Sequence, residues 1–468
     1  MHLPNMKDAK VRGQSKVNYI YEDRNYEDIF KGKKYYIRTY GCQMNVHDSE
    51  EIKALLEQIG FNETEEMEKA DLILLNTCAI RENAHDKVFG FLGRCKHLKK
   101  AKKDLIIGLC GCMAQEESVV NEIKEKHPYI DIVFGTHNMN ELPSILANLN
   151  HKQDIEVYSK EGDVFEFGNL YKRDSKISAW VNIMFGCDKF CTYCIVPYTR
   201  GKQRSRKSED ILREVRELKK LGYQEITLLG QNVNAYGKDL DGEIEFSKLL
   251  EKVSDIGIPR IRFVTSHPWD FTDEMIDIIA ERDNIMPYIH LPLQSGSSRI
   301  LKLMGRRYTK EEYLTLYHKI RDKVKGASIT TDIIVAFPGE TEEDFKDTLD
   351  VVDECKYDGA FTFIFSPREN TPAALMKDEL SLEEKENRLH VLNEKINMYS
   401  KESNERMVGT IQKVLVTGVS EKDTNKVCGY TENMKLVNID ASKDTIGKII
   451  NVKIEEAKSF SLDGIMVK

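Results

Sequence analysis

The sequence predicts an α/β protein in three parts: an N-terminal α/β domain on a parallel sheet, a parallel (β/α) barrel or partial barrel, and a small antiparallel β-barrel at the C-terminus. Three observations carry that expectation. Apolar strand-like runs alternate with amphipathic helical stretches over residues 34–150, the pattern of a parallel sheet with helices on its faces. The rhythm restarts at Ser178 and supplies six further strands. From Gly409 it changes to five short segments separated by Gly, Asn and Asp, as in small all-β barrels.

The bulk properties set limits. A chain of 468 residues suits roughly two to four domains. Hydrophobic residues at 41% and charged residues at 31% describe a soluble globular protein with an ample core. No run reaches the length of a membrane-spanning helix. The first 33 residues are polar and hold no apolar signal region, so a cytoplasmic protein with no membrane association is expected. Ten cysteines in so long a chain do not make a disulfide scaffold; they read as metal ligands or buried thiols. The net charge of −8 excludes wholesale coating of nucleic acid and leaves room for a local basic surface.

Taken in order, residues 1–33 lack periodicity and read as a flexible extension. In the N-terminal domain, 34–150, strands are expected at 35–40, 71–76, 105–109 and 130–134, and helices at 47–59, 83–100, 115–126 and 140–149. Residues 151–177 are polar and irregular and form a linker. The second domain, 178–405, has candidate strands at 179–184, 225–229, 260–265, 288–291, 328–335 and 360–365. Helical stretches at 208–221, 246–253, 272–280, 310–323 and 342–354 lie between them, and a charged helix at 382–401 follows. The active face of such a barrel is at the strand C-termini. The last domain, 406–468, places its strands at 411–416, 426–430, 435–439, 449–454 and 464–467. Barrels of this size often bind oligonucleotides, and many are only structural.

Six cysteines stand out in this frame. Cys187, Cys191 and Cys194 share one short loop directly after the strand at 179–184. Thiolates bind soft metals and are the standard ligands of iron–sulfur clusters. A structural zinc site wants four protein ligands, and this loop offers three. Three ligands on a four-iron cluster leave one iron open to something other than protein. A zinc knuckle or a redox pair is the ordinary alternative. Cys42, Cys78 and Cys112 follow the first, second and third strands. In open α/β sheets, ligands gather outside the carboxyl ends of the strands. Three strand ends therefore deliver three thiolates to one sheet edge, and a second cluster with an open iron is expected there. For any one of them an ordinary buried thiol is the alternative. Cys95, within a helix, and Cys110, at the end of the third strand, read as structural, although alternation turns Cys110 toward the same face as Cys112. Cys355 and Cys428 read as packing residues.

The motifs around these cysteines point to one family. Thr39-Tyr40-Gly41-Cys42-Gln43-Met44-Asn45, Asp48-Ser49-Glu50, Asn76-Thr77-Cys78 and Gly111-Cys112-Met113-Ala114-Gln115 resemble the N-terminal domain of the methylthiotransferases. The loop at 186–194, with Ile195-Val196-Pro197-Tyr198-Thr199-Arg200-Gly201, resembles their radical S-adenosylmethionine (SAM) domain. So do Gly230-Gln231-Asn232-Val233-Asn234-Ala235-Tyr236-Gly237, His290-Leu291-Pro292-Leu293-Gln294-Ser295-Gly296 and Phe337-Pro338-Gly339-Glu340-Thr341. The C-terminal barrel is similar to the TRAM domain, an RNA-binding module. The resemblance covers about residues 34–468. Gln43-Met44-Asn45 looks like the branch that acts on tRNA carrying N6-isopentenyladenosine; the branch that modifies a ribosomal protein aspartate typically has Lys-Asn there. Two glycines usual in the family are replaced, by Ala336 and Asn370.

The resemblance implies two 4Fe–4S clusters, one on Cys187, Cys191 and Cys194 and one on Cys42, Cys78 and Cys112, with SAM as the further cofactor. It implies that the first reduces SAM to methionine and a 5′-deoxyadenosyl radical. The second would carry a sulfur that another SAM methylates, and the methylthio group would join C2 of the adenine beside the anticodon. The same chemistry on threonylcarbamoyladenosine in tRNA, or on a ribosomal protein aspartate, is one alternative. A non-catalytic iron–sulfur RNA-binding protein is another. Gly230 and Gly296 would let backbone approach SAM closely. Asn232, Asn234, Gln294 and Ser295 are candidate polar contacts for SAM or substrate, and His290 is a ligand contact or a core histidine. Arg200, Lys202, Arg204 and Arg206, with Lys207 beside them and Arg306-Arg307 elsewhere, would neutralise tRNA phosphates or form a solvated charged surface. Tyr198 could stack on an exposed base. The implied partners are a tRNA anticodon stem-loop and an electron donor such as flavodoxin or ferredoxin, with the protein a monomer.

Overall fold

The computed structural model describes residues 19–20, 28–79, 82–149, 153–157, 164–165 and 171–467. Most of the expected extension at 1–33 and much of the linker at 151–177 lie outside those residues; within them, Tyr19–Ile20 pairs in parallel with Val164–Phe165. The chain forms two compact units. One comprises Met1–Asp174, Met184–Phe190 and Cys194–Arg206, and the other Ser175–Ile183, Cys191–Tyr193 and Lys207–Lys468.

The first unit is built on β1 (Lys34–Tyr40), α1 (Gln43–Gln58), β2 (Asn62–Glu63), β3 (Leu72–Thr77), α2 (Glu82–Ala101), β4 (Ile106–Gly111), α3 (Glu117–Lys126), β5 (Ile132–Phe134), α4 (Leu142–Ala147) and β6 (Asp154–Glu156). The six strands run in the order β2-β1-β3-β4-β5-β6, and every pair is parallel. All residues of β3 are buried, which is why Leu72–Leu75 reads as an apolar run, with the buried polar Asn76 and Thr77 at its carboxyl end. Two apolar layers flank the sheet. One packs Tyr35, Ile52, Leu56, Cys110 and Phe134; the other packs Ile73, Leu75, Leu92 and Cys95. Cys95 and Cys110 are thus core residues. The edge strands β2 and β6 go beyond the sequence expectation. They are only two and three residues long, too short to show a period.

Next come β7 (Ser178–Asn182), β8 (Met184–Phe185), α5 (Val196–Thr199), β9 (Arg204–Ser205), α6 (Ser208–Lys220), β10 (Glu225–Leu229), α7 (Phe246–Ile256), β11 (Arg260–Phe263), α8 (Asp273–Glu281) and β12 (Tyr288–His290). They are followed by α9 (Ser298–Leu303), α10 (Lys310–Lys323), β13 (Ser328–Val335), α11 (Glu342–Cys355), β14 (Gly359–Ile364) and α12 (Leu382–Glu405). In the second unit, β7, β10 and β11 form one parallel sheet and β12, β13 and β14 another. A parallel bridge from Ile261 to Ile285 connects them. Six parallel strands therefore make the expected partial barrel.

The C-terminal strands β15 (Ile411–Val419), β16 (Val427–Thr431), β17 (Leu436–Asp440), β18 (Ile449–Ala457) and β19 (Leu462–Met466) close into a barrel in the order β15-β16-β17-β19-β18. Four neighbouring pairs are antiparallel and β17–β19 is parallel. Directions cannot alternate all the way round a ring of five, so one parallel pair is a geometric necessity. Two buried arginines of β11 pin this barrel to the partial barrel. Arg260 donates to the carbonyls of Tyr430 and Lys413, both at 2.8 Å. Arg262 donates to those of Thr431 and Glu432, both at 2.9 Å.

Candidate functional site

Three thiols meet where the first sheet changes direction. Strand order reverses between β1 and β3, the position where open α/β sheets bind ligands. Cys42, Cys78 and Cys112 lie just beyond the ends of the neighbouring strands β1, β3 and β4. The Cys78 side chain hydrogen-bonds that of Cys42 and pulls the Cys42 thiol down to about 6; burial opposes this, and the Arg200 charge assists it. Cys42 also caps α1, and a helix N-terminus favours thiolate. Burial holds Cys112 above the ordinary thiol value.

The surrounding motif residues explain themselves locally. The Asn45 side chain accepts from the Cys42 backbone N–H at 3.3 Å and from its thiol at 3.4 Å. Its amide donates across to Asn76 Oδ1 at 3.2 Å, and Asn76 donates back to the Asn45 carbonyl at 2.8 Å. Two glycines make room. A Cβ on Gly41 would fall 2.4 Å from Asn45 Oδ1, and one on Gly111, whose φ is +91°, would fall 2.3 Å from Asn76 Oδ1. The first turn of α1, which follows β1, is thus locked to the end of β3 by paired amides.

Arg200 reaches the same place from far along the chain. It is 6% exposed, and its partner Asp48 is 0% exposed. Nη2 and Nη1 donate to the two Asp48 carboxylate oxygens at 2.5 and 3.4 Å, and Nε donates to Cys112 Sγ at 3.2 Å. Burial opposes the Arg200 charge, and Asp48 with the cysteine sulfurs outweighs it. Ile195 and Tyr198 pack with Ala79 and Cys112, and Thr136 Oγ1 donates to the Thr199 carbonyl at 2.5 Å. The segment that begins at Cys194 therefore lies over the strand ends that carry Cys42, Cys78 and Cys112. This alters the picture of the basic run. Arg200, Arg204 and Arg206 are buried, and Lys202 is partly exposed. The sequence shows local charge density; it does not show the carboxylate of Asp48, which draws Arg200 inward.

The loop bearing Cys187 is shaped by its neck. β8 pairs antiparallel with β9, and the Cys187 N–H donates to the Gly201 carbonyl at 3.1 Å. Gly186 has φ +68°, and a Cβ there would lie 1.9 Å from the Lys202 carbonyl oxygen, so only glycine fits. Cys191 is held within the second unit. Thr192 N–H and Oγ1 donate to the Met304 and Leu303 carbonyls, both at 2.9 Å. The buried Arg306 donates to Cys191 Sγ at 3.5 Å and to the Pro292 carbonyl at 3.2 Å. A buried guanidinium thus faces a cysteine sulfur in each unit.

The strand ends of the second unit hold the other expected residues. Asn234 is fully engaged with the His267 backbone, donating at 2.8 Å and accepting at 2.9 Å. Gly296 is required by packing, since a Cβ would fall 2.4 Å from Thr348 Cα. Gln294 has φ +69° and exchanges backbone hydrogen bonds with Asp332 and Ile334. Ser295 Oγ accepts from Ser297 N–H at 3.2 Å. Gly230 begins the loop beyond β10. His290 contacts Asp332 at 3.2 Å and Thr330 Oγ1 at 3.0 Å. Asn232 donates to Asp270 at 2.8 Å, while its Oδ1, the Gln231 amide and Ser266 Oγ are buried without a hydrogen-bond partner. Such orphaned groups at barrel strand ends mark a place for a polar ligand.

Comparison with known proteins fits this arrangement. Residues 34–135 match Uncharacterized protein family UPF0004, 181–352 the Radical SAM superfamily and 405–467 the TRAM domain. The tRNA-2-methylthio-N(6)-dimethylallyladenosine synthase of Staphylococcus epidermidis is 53% identical over 99% of this chain and 91% of that protein. The proteins of the same name from Staphylococcus saprophyticus and Staphylococcus aureus show the same identity and coverage. The chain belongs to the radical SAM methylthiotransferases. Among solved structures, the radical SAM methyltransferase TsrM from Kitasatospora setae aligns with a TM-score of 0.53 at 12% identity, covering 74% of this chain and 75% of that one. That likeness concerns the fold.

In this methylthiotransferase the three thiols of the first unit suit a multi-iron core. Among the described residues they do not all lie within 4.8 Å of one another, whereas a single tetrahedral zinc with bonds of ~2.3 Å needs sulfurs about 3.8 Å apart. Several residues escaped the sequence reading: Asn45 and Asn76 as the lock beside Cys42, Asp48 as the partner of Arg200, Arg306 as the partner of Cys191, and Gln231 and Ser266 as orphaned polar groups. All but Ser266 stood in or beside quoted motifs. What they touch was not visible there. No helix among the described residues is long and apolar enough to cross a membrane.

Proposed function

We propose that this protein installs a methylthio group at C2 of N6-dimethylallyladenosine beside the anticodon of tRNA. One observation carries the reading: the segment Cys194–Arg206 starts at a member of one cysteine trio and lays Ile195 and Arg200 against Cys112 of the other. A reaction that moves sulfur from one metal centre to a carbon activated at a second needs such closeness. Cys187, Cys191 and Cys194 would hold one 4Fe–4S cluster and Cys42, Cys78 and Cys112 another; when bound, these would supply reductive SAM cleavage and the sulfur to be inserted.

The chain's own part is positional and electrostatic. Asn45 and Asn76 fix the first turn of α1 to the end of β3. Arg200 offsets the negative charge gathered by three thiolates, donating to Cys112 Sγ and to the Asp48 carboxylate. Gln231, Asn232 and Ser266 offer their unpartnered atoms to the polar ends of SAM, with the Gly230 and Gln294–Gly296 loops as the adjoining backbone. The tRNA assignment rests on the relatives and on the TRAM barrel. With Arg200, Arg204 and Arg206 buried, a phosphate contact in the second unit falls to the exposed Arg307, whose guanidinium stacks 5.0 Å over the half-exposed Trp269 ring. A one-electron donor of the flavodoxin or ferredoxin class completes the set, for a monomer acting in the cytoplasm.

The test is direct. Anaerobically reconstituted protein, given reductant, SAM and isopentenylated tRNA, should form the methylthio nucleoside and 5′-deoxyadenosine. Cys42→Ala should cleave SAM without inserting sulfur, and Cys191→Ala should do neither. Wild-type protein that carries both clusters and cleaves no SAM would end the reading.

A further inference from the structure

Strand β14 and the residue after it carry phenylalanines at alternate positions, Phe361, Phe363 and Phe365. Alternation puts all three on one face. The opposite face packs α12, where Thr362 Oγ1 and Asn393 Oδ1 lie 2.5 Å apart. The phenylalanines therefore line the side away from that covering helix, the concave side of the partial barrel. The neighbouring strand agrees. Phe361 pairs in register with Asp332 and Phe363 with Ile334, and the Phe361 ring meets His290 edge-on at 6.1 Å. The ladder ends at the cysteine loop. Phe365 meets Phe337 at 5.2 Å, and Phe337 meets Tyr193, which lies between Cys191 and Cys194, at 6.4 Å.

The three rings differ in exposure. Phe365 is 7% exposed, but Phe361 is 59% and Phe363 is 49% exposed. Two large rings open to water on an inner face, beside a histidine–aspartate pair and one step from the cysteine loop, describe a binding wall. We propose that Phe361 and Phe363 receive the dimethylallyl group and the face of the adenine of the tRNA substrate, with His290 and Asp332 at the polar edge of that base. The assignment rests on the functional reading above. The occupant follows from chemistry. A ribose-phosphate chain or the amino acid end of SAM is polar and would leave both rings uncovered. A purine bearing a branched five-carbon group presents a flat face for stacking and an apolar branch for the second ring.

The experiment compares two synthetic anticodon stem-loops that differ only in the N6-dimethylallyl group, using reconstituted wild type, Phe361→Ala/Phe363→Ala and Phe361→Leu/Phe363→Leu. Iron content verifies cluster loading in each. Wild type should prefer the prenylated RNA. The alanine pair should lose about tenfold or more in kcat/KM on that RNA, mainly through KM, as expected when buried aromatic surface is removed. Its preference ratio should fall toward one, while the leucine pair should keep much of the preference. An alanine pair that turns over with a wild-type ratio and KM, or a leucine pair that loses all preference, would overturn the subsite alone. Wild type that makes no methylthio product from either RNA would overturn the functional reading and the subsite with it.

Discussion

Replacing Arg200 with methionine should strip a buried carboxylate of its partner, and the cost follows from the geometry. Asp48 is 0% exposed, and both its oxygens accept from Arg200, at 2.5 and 3.4 Å. For charges about 3 Å apart at an effective dielectric constant near 20, the attraction is roughly 5 kcal/mol. Most of that offsets the desolvation of the two ions. With the guanidinium gone, the desolvation of Asp48 is uncompensated, so Arg200→Met should destabilise the protein by about 3–5 kcal/mol. Asp48→Asn/Arg200→Met removes both charges and should recover most of the loss. Urea titration of the cluster-free, reduced protein and of the four members of this cycle measures the coupling. A coupling below about 1 kcal/mol would place the pair with exposed surface bridges and refute the argument. A second readout concerns the metal. Hydrogen bonds to cluster sulfurs help set reduction potential. Arg200→Lys should therefore lower the midpoint of the centre proposed on Cys42, Cys78 and Cys112 and leave the other proposed centre unmoved, as read by anaerobic potentiometric titration.

Three further outcomes are expected. Gly111→Ala would strain a backbone at φ +91° and drive a Cβ to within 2.3 Å of Asn76 Oδ1; iron bound after reconstitution should fall by about half, since one of two trios is lost, and unchanged iron and sulfide analysis would contradict it. Ala336 holds φ +57° in the core, so Ala336→Gly should stabilise the second unit by about 0.5–1 kcal/mol, visible as a rise in its thermal midpoint. Burial, then the charges of Arg173, Arg206 and Arg200, hold His47 well below its ordinary value. Glu51, 3.7 Å away, does not offset them. The unfolded chain then binds a proton there that the folded chain does not, so this contribution to stability is lost as pH falls below about 6.5, by up to roughly 1.4 kcal/mol per pH unit. His47→Leu should flatten that part of the stability–pH curve, and parallel curves for the two proteins would argue against it.

Much of the architecture was legible because parallel strands buried on both faces leave continuous apolar runs. The partial-barrel strand at 225–229, buried throughout, is found at that position; the strand at 328–335, which alternates between buried and half-buried residues, is found at its position through its β-branched content. The edge strands Asn62–Glu63 and Asp154–Glu156 were not visible, because a partly exposed strand of two or three residues has no period. The C-terminal barrel was expected as antiparallel throughout. Its closure through Leu436–Asp440 beside Leu462–Met466 in parallel follows from ring parity, which no local pattern encodes.

The chain alone determined which chemistry was available. The spacing of Cys187, Cys191 and Cys194, and the recurrence of Cys42, Cys78 and Cys112 after successive strands, depend on neighbours in sequence and on the rule that strands deliver their ends to one edge. Tertiary structure decided what surrounds those sulfurs. Asp48 and Arg200 are 152 residues apart yet share a buried bidentate contact, and Arg306 finds Cys191 from 115 residues away. Whether a guanidinium faces solvent phosphate or a buried thiolate is settled by the dielectric and partners around it, and those are supplied by elements distant in the chain.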